Sequence, residues 1–239
     1  LTLRRRAQRE ASIVRGAHWF IGRTDWDRAM LASMNPGAVY YHCDEIMRAP
    51  FYDAEWGRGD RLAHEGLRLY TTSSDLMGKG TECLLDAMSI LRRWGSPHVR
   101  LRVAGVVPGS RLETIYRRAA RRAGVERHVD WLGRLEADRI VEELLAADVF
   151  VYPSHVDNSP NSVAEAMVVG VPIVASCVGG VPTLLRDQQE GLLVPRGDAA
   201  AFAGAIKRLI DHRDEARRLG ARARLTARER HDAYLALAQ

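Results

Sequence analysis

The sequence predicts an α/β fold, a Rossmann-like, doubly wound parallel sheet. The main observation is a strict alternation, from residue 67 onward, of short β-rich runs with segments whose apolar residues recur at helical spacing. Such alternation is typical of a parallel sheet that helices cover on both faces. Size is the second observation, because 239 residues are enough for one large domain with a smaller extra piece.

The first half of this alternating region predicts three strands and three helices. The strands are “LRLYTTSS”, “VRLRVAGVV” and “HVDWLG”. The first helix follows “GKGTE” and repeats apolar residues at helical spacing, namely Leu84, Leu85, Met88 and Leu91. The second helix, 110–123, is very basic, and the third spans 136–147.

The second half predicts three more strands, which are “DVFVYPS”, “VPIVAS” and “GLLVP”. A helix that contains “NSVAEAM” follows the first of them, and a Gly179-Gly180 turn with a short helix follows the second. The pattern is helical again from about 199 to 228. The alternating region, 67–239, is therefore predicted to be one Rossmann-like domain with helices at its C-terminal end.

Residues 1–66 do not continue this rhythm. They contain a helical start, the aromatic-rich “HWFIGRTDWDRAM” and the irregular “NPGAVYYHCDEIMRAPFYDAEW”. We interpret them as the tail and linker of another domain, with “IGRTDWDRAM” as a helix. Because the chain starts at Leu1 rather than at a Met, we expect a fragment of a longer protein.

Composition indicates a soluble globular protein without a membrane span. The hydrophobic content is 46%, and no apolar run approaches the roughly 18 residues that a spanning helix needs. The N-terminus is basic but lacks the apolar stretch of a targeting segment. The cysteines, Cys43, Cys83 and Cys177, have no paired spacing, so we expect a reducing compartment and neither disulfides nor a metal site.

The net charge of +5 comes largely from arginine clusters at 4–6, 117–122 and 217–224. One interpretation is a solvated surface, and the other is attraction to anionic partners such as membrane headgroups or nucleotide phosphates. Nucleic acid is disfavoured, because the clusters are helical in pattern and lack the interleaved aromatic residues of a stacking platform.

Four segments that contain residues suited to ligand binding or catalysis follow predicted strands. They are “SSDLMGKG”, “GVVPGS”, “LGR” and “SHVDNSPNS”. Because ligands of open parallel sheets bind outside the carboxyl ends of the strands, these segments predict a shared site.

The last of these segments begins a helix that is suited to an anion. With Ser159 as N-cap and Pro160 as the first helical residue, the next three N–H groups, of Asn161, Ser162 and Val163, point outward. Glu165 lies one turn beyond Asn161, about 6 Å along the axis, where it can accept hydrogen bonds from a ribose diol.

The two carboxylates also have an alternative interpretation. Asp157, before the predicted cap, can meet a group on the other side of a phosphate or can simply cap its own loop. Glu165 can equally pair with an arginine. Geometry inferred from the sequence leaves both possibilities open.

Lys79 lies between Gly78 and Gly80 in a strand-to-helix turn, where its ammonium can neutralise a diphosphate. The alternative is a solvated turn lysine. No Ser or Thr follows as in a Walker motif, and the first strand-helix turn lacks the G-x-G-x-x-G pattern of a dinucleotide enzyme.

The run 148–198, “DVFVYPSHVDNSPNSVAEAMVVGVPIVASCVGGVPTLLRDQQEGLLVPRGD”, resembles the C-terminal motif of the retaining glycosyltransferases of family four. Their motif is Glu, seven residues, Glu in “EAM”, a Gly-x-Pro strand, a Gly-Gly turn and “GLLVP-x-GD”. With “KG” and “WLG” the resemblance covers about 60–228. It implies the C-terminal half of a GT-B fold, in which two Rossmann-like domains face each other.

The resemblance also implies roles for matching residues. Glu165 would bind the ribose of a nucleotide sugar, Asp157 the sugar hydroxyls and Lys79 the diphosphate. Other donor-binding positions would be Gly78, Gly80, the loop around Gly133 and Arg134 beside the base, and the run Asn158, Ser159, Pro160, Asn161, Ser162 and Val163. Two departures stand out: Asp157 replaces a longer Glu, and Ser73 or Ser74 stands where the family has a phosphate-binding arginine, with Arg134 as one substitute.

The activity implied is transfer of a hexose-like sugar from a UDP- or GDP-type donor to an acceptor hydroxyl, with retention, as in polysaccharide biosynthesis. No metal or other cofactor is expected. The acceptor would be a glycan, a lipid-linked sugar or a small molecule, and the location cytoplasmic, with an anionic inner membrane surface as a further contact. Alternatives are a nucleotide-binding module without transfer and a sugar-nucleotide epimerase. We expect the fragment to bind the donor and to transfer little, since the acceptor is held largely by the other domain.

Overall fold

The computed structural model describes residues 3–57, 66–73, 78–96 and 98–232. Before the main sheet, the chain forms α1 (Leu3–Gly16), β1 (Trp19–Gly22), α2 (Asp25–Met34), β2 (Val39–His42) and α3 (Ala49–Asp53). The main sheet and its helices are β3 (Arg68–Thr72), α4 (Thr81–Arg93), β4 (Arg100–Ala104), α5 (Arg111–Arg122), β5 (Val129–Gly133), α6 (Ala137–Ala146), β6 (Val149–Tyr152), α7 (Asn161–Val169), β7 (Ile173–Ser176), α8 (Val181–Leu184), β8 (Leu192–Val194), α9 (Ala199–Asp211) and α10 (Arg213–Arg230).

The main sheet has six parallel strands in the order β5-β4-β3-β6-β7-β8. The chain therefore builds outward from β3 in one direction and then, after β5, returns to β6 on the other side. This reversal makes β3 and β6 the switch point of the sheet, where α/β folds bind their ligands. The predicted doubly wound α/β fold is confirmed.

Two buried clusters of apolar residues cover the faces of the sheet. Along β3 and β6 successive side chains alternate between them, so that Leu69 lies in one cluster and Tyr70 in the other. Helices α4, α5 and α9 cover the first face, and α3, α6 and α7 cover the second. Helix α10 contributes to both clusters.

The N-terminal segment differs from its prediction, because β1, α2 and β2 form a β-α-β unit with two parallel strands. “IGRTDWDRAM” is a helix only from Asp25, and the stretch interpreted as irregular contains β2 and α3. The strands are four residues long and expose Trp19, Ile21 and Tyr41, so they lack the continuous apolar run of a buried parallel strand.

Residues after β2 pack against the main sheet. Phe51 in α3 is fully buried in the second cluster, and the Tyr52 hydroxyl donates to the carbonyl of His231, 2.6 Å away. The boundary predicted at 66/67 adjoins residues 58–65, which lie outside the described residues, and it remains a prediction. At the other end of the chain, His212 divides the predicted C-terminal helical stretch into α9 and α10.

Within the described ranges, none of the helices has the length and apolar character that crossing a bilayer requires.

Candidate functional site

The loops after β3 and β6 touch each other at the switch point. Gly80 packs so closely on the backbone of Pro153 that a Cβ atom would lie 1.9 Å from its carbonyl oxygen. The His155 amide donates to the carbonyl of Gly78, 2.8 Å away. Both glycines have positive φ angles, which favour residues without a side chain. These contacts hold Lys79, between the two glycines, beside the loop that begins at Pro153.

Lys79 and Asp157, both predicted from the sequence, form an ion pair with Nζ and Oδ2 2.7 Å apart. Tyr152, at the end of β6, completes a cluster of three. Its hydroxyl donates a short hydrogen bond to Asp157 and accepts one from Lys79 at 3.3 Å. Burial and the neighbouring Asp157 carboxylate raise the pKa of Tyr152 strongly, so the phenol stays protonated. Sequence reasoning treated Tyr152 only as a strand residue.

The predicted glycine turn supports the loop from behind. A Cβ on Gly179 would lie 1.9 Å from the carbonyl oxygen of Asp157, and one on Gly180 would lie 2.0 Å from that of Asn158. The Gly180 amide donates to the Asp157 carbonyl at 3.2 Å. The backbone at Asp157 and Asn158 is therefore fixed by a turn that has no room for side chains.

Helix α2 holds the same loop from the N-terminal side. The Thr24 hydroxyl donates to Asn158 Oδ1 at 2.5 Å, and Asn158 Nδ2 donates to Asp27 Oδ2 at 2.9 Å. Thr24 and Asp27 also form the capping box of α2. “TDWD” contained this local signal, but its contact with a residue more than 130 positions away could not be inferred from it.

The start of α7 corrects the sequence prediction by one residue. Pro160, not Ser159, is the N-cap, and the helix begins at Asn161. The reason is that Pro160 has an extended backbone and its carbonyl already accepts from the Val163 amide at 3.0 Å. The Val163 amide is used by this hydrogen bond, so its placement among the free, outward-pointing amides was wrong. Asn161 and Ser162 remain as the N-terminal residues whose N–H groups lack partners within the helix.

Glu165 lies one turn deeper and is 8% exposed. Arg48 Nη2 donates to its Oε1 at 2.6 Å, which confirms the alternative expectation of an arginine partner. Burial raises the pKa of Glu165, and the contact with Arg48 opposes that rise. Arg48 also lies over the ring of Phe51, with its guanidinium carbon 5.0 Å from the ring centroid. No local sequence pattern predicted this pairing between Arg48 of the N-terminal segment and Glu165 of α7.

The remaining predicted residues are dispersed. Ser73 accepts a hydrogen bond from Thr81 at 3.3 Å, and Ser159 is partly exposed beside Asn158. Gly133 ends β5 and the exposed Arg134 follows it, and β4 and β3 separate this edge strand from β6. At about 4.8 Å per strand, that places the end of β5 about 14 Å from the end of β6. Ser74 lies outside the described residues.

Among the residues that the structure places, no group of three or more His, Cys, Asp or Glu side chains is arranged to hold a metal ion.

Comparison with known proteins gives matches over most of the chain. The sequence model of the family described as “Glycosyl transferases group 1” matches residues 65–226. A D-inositol 3-phosphate glycosyltransferase of Acidothermus cellulolyticus is 40% identical over 114 residues, which are 47% of this chain and 25% of that protein. A GDP-mannose-dependent alpha-(1-6)-phosphatidylinositol monomannoside mannosyltransferase of Mycobacterium tuberculosis is 31% identical over 66% of this chain and 42% of that protein.

A solved structure shows the same fold. Sucrose-phosphate synthase from Thermosynechococcus elongatus superposes with a TM-score of 0.85, at 23% sequence identity, over 98% of this chain and 60% of that one. The chain thus spans less than half of these two curated relatives and a little under two thirds of this structural neighbour.

Proposed function

The chain belongs to the group 1 glycosyl transferases, and we propose that the site at the carboxyl ends of β3 and β6 holds the nucleoside diphosphate sugar of a retaining transfer. A hexose-like sugar passes to an acceptor hydroxyl. The observation that carries this proposal is the convergence of Lys79, Asp157 and the start of α7 on one loop at the switch point, with Glu165 one turn below.

Each residue then has a chemical task. Lys79 and the amides of Asn161 and Ser162 face the diphosphate, whose negative charge grows as the bond from the anomeric carbon to the phosphate oxygen breaks. Asp157 accepts hydrogen bonds from sugar hydroxyls, and Glu165 accepts them from the ribose. Gly133 and Arg134, about three strands away, border the base. The new bond forms between the anomeric carbon and the acceptor oxygen, whose proton passes to the departing phosphate.

The donor nucleotide is the first quantity to measure. We expect UDP- or GDP-sugars to raise the melting temperature and to bind in calorimetry, as the name of one relative, GDP-mannose-dependent, supports. Transfer of an isotope-labelled sugar by the whole encoded polypeptide then separates the alternatives. Donor binding without transfer would favour a binding module, and conversion of the donor into its epimer would favour an epimerase. Wild-type protein that binds no nucleotide sugar would refute the proposal.

Transfer proceeds without a metal in this proposal, because Lys79 and the helix amides supply the positive charge. A strong chelator is therefore expected to leave binding and transfer unchanged. A loss that Mg²⁺ or Mn²⁺ restores would contradict this part of the mechanism.

The acceptor is proposed to be a hydroxyl of a glycan, a lipid-linked sugar or a small molecule, at the cytoplasmic side of an anionic membrane. The name of the mycobacterial relative includes a phosphatidylinositol-linked acceptor. Helix α5 offers a basic surface for such a membrane, because Arg111, Arg118, Arg121 and Arg122 are exposed. Sedimentation with phosphatidylglycerol vesicles should exceed that with phosphatidylcholine vesicles and should fall with salt. Equal sedimentation would refute the membrane contact.

A further inference from the structure

We propose that Arg23, from the N-terminal β-α-β unit, is the second diphosphate-binding cation of this site. The inference rests on the proposed function, in which Lys79 is the first diphosphate-binding cation. The basis is the position of Arg23 at the start of α7, where it contacts Asn161, whereas Lys79 contacts Asp157 earlier in the same loop.

The backbone of Arg23 is fixed at this position. Its amide donates to Asp27 Oδ2 at 3.0 Å, and its carbonyl accepts from Arg230 Nη2 at 3.2 Å. The next residue, Thr24, is hydrogen-bonded to Asn158. Arg23 is thus held from both α2 and α10 and placed next to the loop that carries Asp157.

The guanidinium lies at the N-terminus of α7. Nη1 of Arg23 is 3.4 Å from Oδ1 of Asn161, the first residue of the helix. Lys79 contacts Asp157, four residues before Asn161 on the same loop. The two cations therefore contact the two ends of the segment 157–161, and Arg23 contacts the end at which the first amides of α7 lie. A guanidinium can bind two oxygens of a diphosphate at once, which a lysine cannot do.

Two other cations, Arg48 and Arg134, fit this task less well. Arg48 is engaged by Glu165 and by the Phe51 ring, on the ribose side of the proposed site. Arg134 follows β5 and starts about 14 Å from the end of β6, since three strand spacings separate them.

Glu45 allows a test based on the direction in which diphosphate affinity changes. Its carboxylate forms a close ion pair with Arg23, and the two side chains are 44% and 35% exposed. A diphosphate that binds Arg23 must compete with this carboxylate. Removing the charge of Glu45 should therefore strengthen diphosphate binding, whereas removing the charge of Arg23 should weaken it. A purely structural role for the pair predicts that both changes weaken binding.

The experiment is calorimetry with UDP and GDP, and with uridine and guanosine as ligands that lack phosphate. We expect Arg23→Gln to lower affinity for the preferred diphosphate about tenfold, as for the loss of one charged hydrogen bond. The nucleoside affinity should not change. Arg23→Lys should recover part of the loss, and Glu45→Gln should raise diphosphate affinity. Arg28→Gln is the matched control, because Arg28 is an exposed arginine of α2 that lies over the Tyr40 ring.

Three results would overturn the inference: unchanged diphosphate affinity in Arg23→Gln, an equal loss for diphosphate and nucleoside, or weaker binding in Glu45→Gln. Wild-type protein that binds neither diphosphate nor nucleotide sugar would instead overturn the proposed function, and this assignment with it.

Discussion

The Asp157 carboxylate and the proposed diphosphate ligand compete for the ammonium of Lys79. Asp157 lies 2.7 Å from its ammonium, and the Tyr152 hydroxyl holds the carboxylate in place. The lysine and aspartate side chains are 24% and 20% exposed, so water screens the pair only in part. A nucleoside diphosphate must therefore displace some of this attraction when it binds Lys79. When the ligand carries a sugar, hydrogen bonds from the sugar hydroxyls to Asp157 replace the lost attraction to Lys79.

We expect Asp157→Asn to bind the bare nucleoside diphosphate more tightly than wild type, by about fivefold, because an ion pair of this exposure contributes up to about 1 kcal/mol. The preference of wild type for the nucleotide sugar should largely disappear. Calorimetry with both ligands tests this, with Asp138→Asn on the exposed side of α6 as the control. Weaker diphosphate binding by Asp157→Asn would contradict the competition.

Glu165 carries opposite effects on stability and binding. Burial raises its pKa above the ordinary value, while Arg48 provides only partial compensation. A carboxyl whose folded-state pKa is raised favours folding in its protonated form. That contribution is complete below the unfolded pKa and is lost as the pH rises through the folded pKa. Above the folded-state pKa the ionised side chain therefore contributes less to stability than the protonated one, while it serves as the proposed ribose acceptor.

Glu165→Gln should raise the melting temperature at pH 7 and leave it unchanged near pH 3.5, where both side chains are neutral. A gain of about 1 kcal/mol corresponds to about 2–4 °C for a chain of this size. The same variant should bind nucleotide more weakly, and Glu165→Ala more weakly still, since a charged acceptor contributes about 1.5–3 kcal/mol. Melting curves across pH and calorimetry test both halves. Unchanged nucleotide affinity in both variants would remove Glu165 from the ribose site.

At the scale of elements, the Gly179-Gly180 turn matters through its contact with another loop. The turn lies against the carbonyls of Asp157 and Asn158, and Gly180 also faces the Thr24 side chain. Because Gly180 has a negative φ of −88°, an alanine there is excluded by space and not by backbone strain. The turn after β7 thus sets how closely the loop of the site and the start of α2 can pack against it.

Gly180→Ala should push the 157–158 loop outward and weaken nucleotide binding, with a destabilisation of about 1–3 kcal/mol from overpacking. Gly204→Ala is a matched control in α9, where a Cβ would meet nothing within 4 Å. It should be neutral or slightly stabilising, because alanine has the higher helix propensity. Denaturant unfolding and calorimetry measure both variants. An unaffected Gly180→Ala protein would show that the loop can move without cost.

The elements that sequence reasoning found are those with a buried periodic pattern. Strands β3 to β8 are short β-rich runs with buried residues in each, and their alternation with helical segments predicted the fold. Strands β1 and β2 were missed because they are short and half exposed, and the start of α7 was misplaced because Pro160 is extended. Lys79, Asp157 and Glu165 were located by motif. Tyr152, which contacts Asp157, was not assigned to the site. Neither were Arg48 and Arg23, because their contacts with Glu165 and Asn161 join residues more than 100 positions apart.

At the scale of the whole molecule, Arg230 connects three parts of the chain. It donates to Asp44 Oδ1 at 2.7 Å, to the carbonyl of Thr183 at 2.5 Å and to that of Arg23 at 3.2 Å. Asp44 is only 6% exposed, so its carboxylate depends on this partner and on His42. One side chain of α10 thereby links three parts of the chain: Asp44 after β2, Thr183 in α8, and Arg23, the residue of the N-terminal unit that is proposed to bind the diphosphate.

Arg230→Met should destabilise the protein by about 3 kcal/mol, because it leaves a buried carboxylate without its main partner. Adding Asp44→Asn should recover part of the loss. Arg222→Met, an exposed position on the same helix, should change stability by less than about 0.5 kcal/mol. Denaturant unfolding measures all three. Equal stability of the Arg230 and Arg222 variants would show that the N-terminal unit is held by its other contacts alone.

Lys79 also allows the site to be labelled covalently, because the chain has few lysines. The cations of this chain are almost all arginines, and its lysines are Lys79 and Lys207. Lys207 is in α9, paired with Asp211 on the surface. An amine-directed acylating reagent therefore has few targets, and mass spectrometry can compare the two lysines in one digest. Occupancy of the diphosphate site would appear as protection of Lys79 against a constant Lys207 reference, without a labelled ligand.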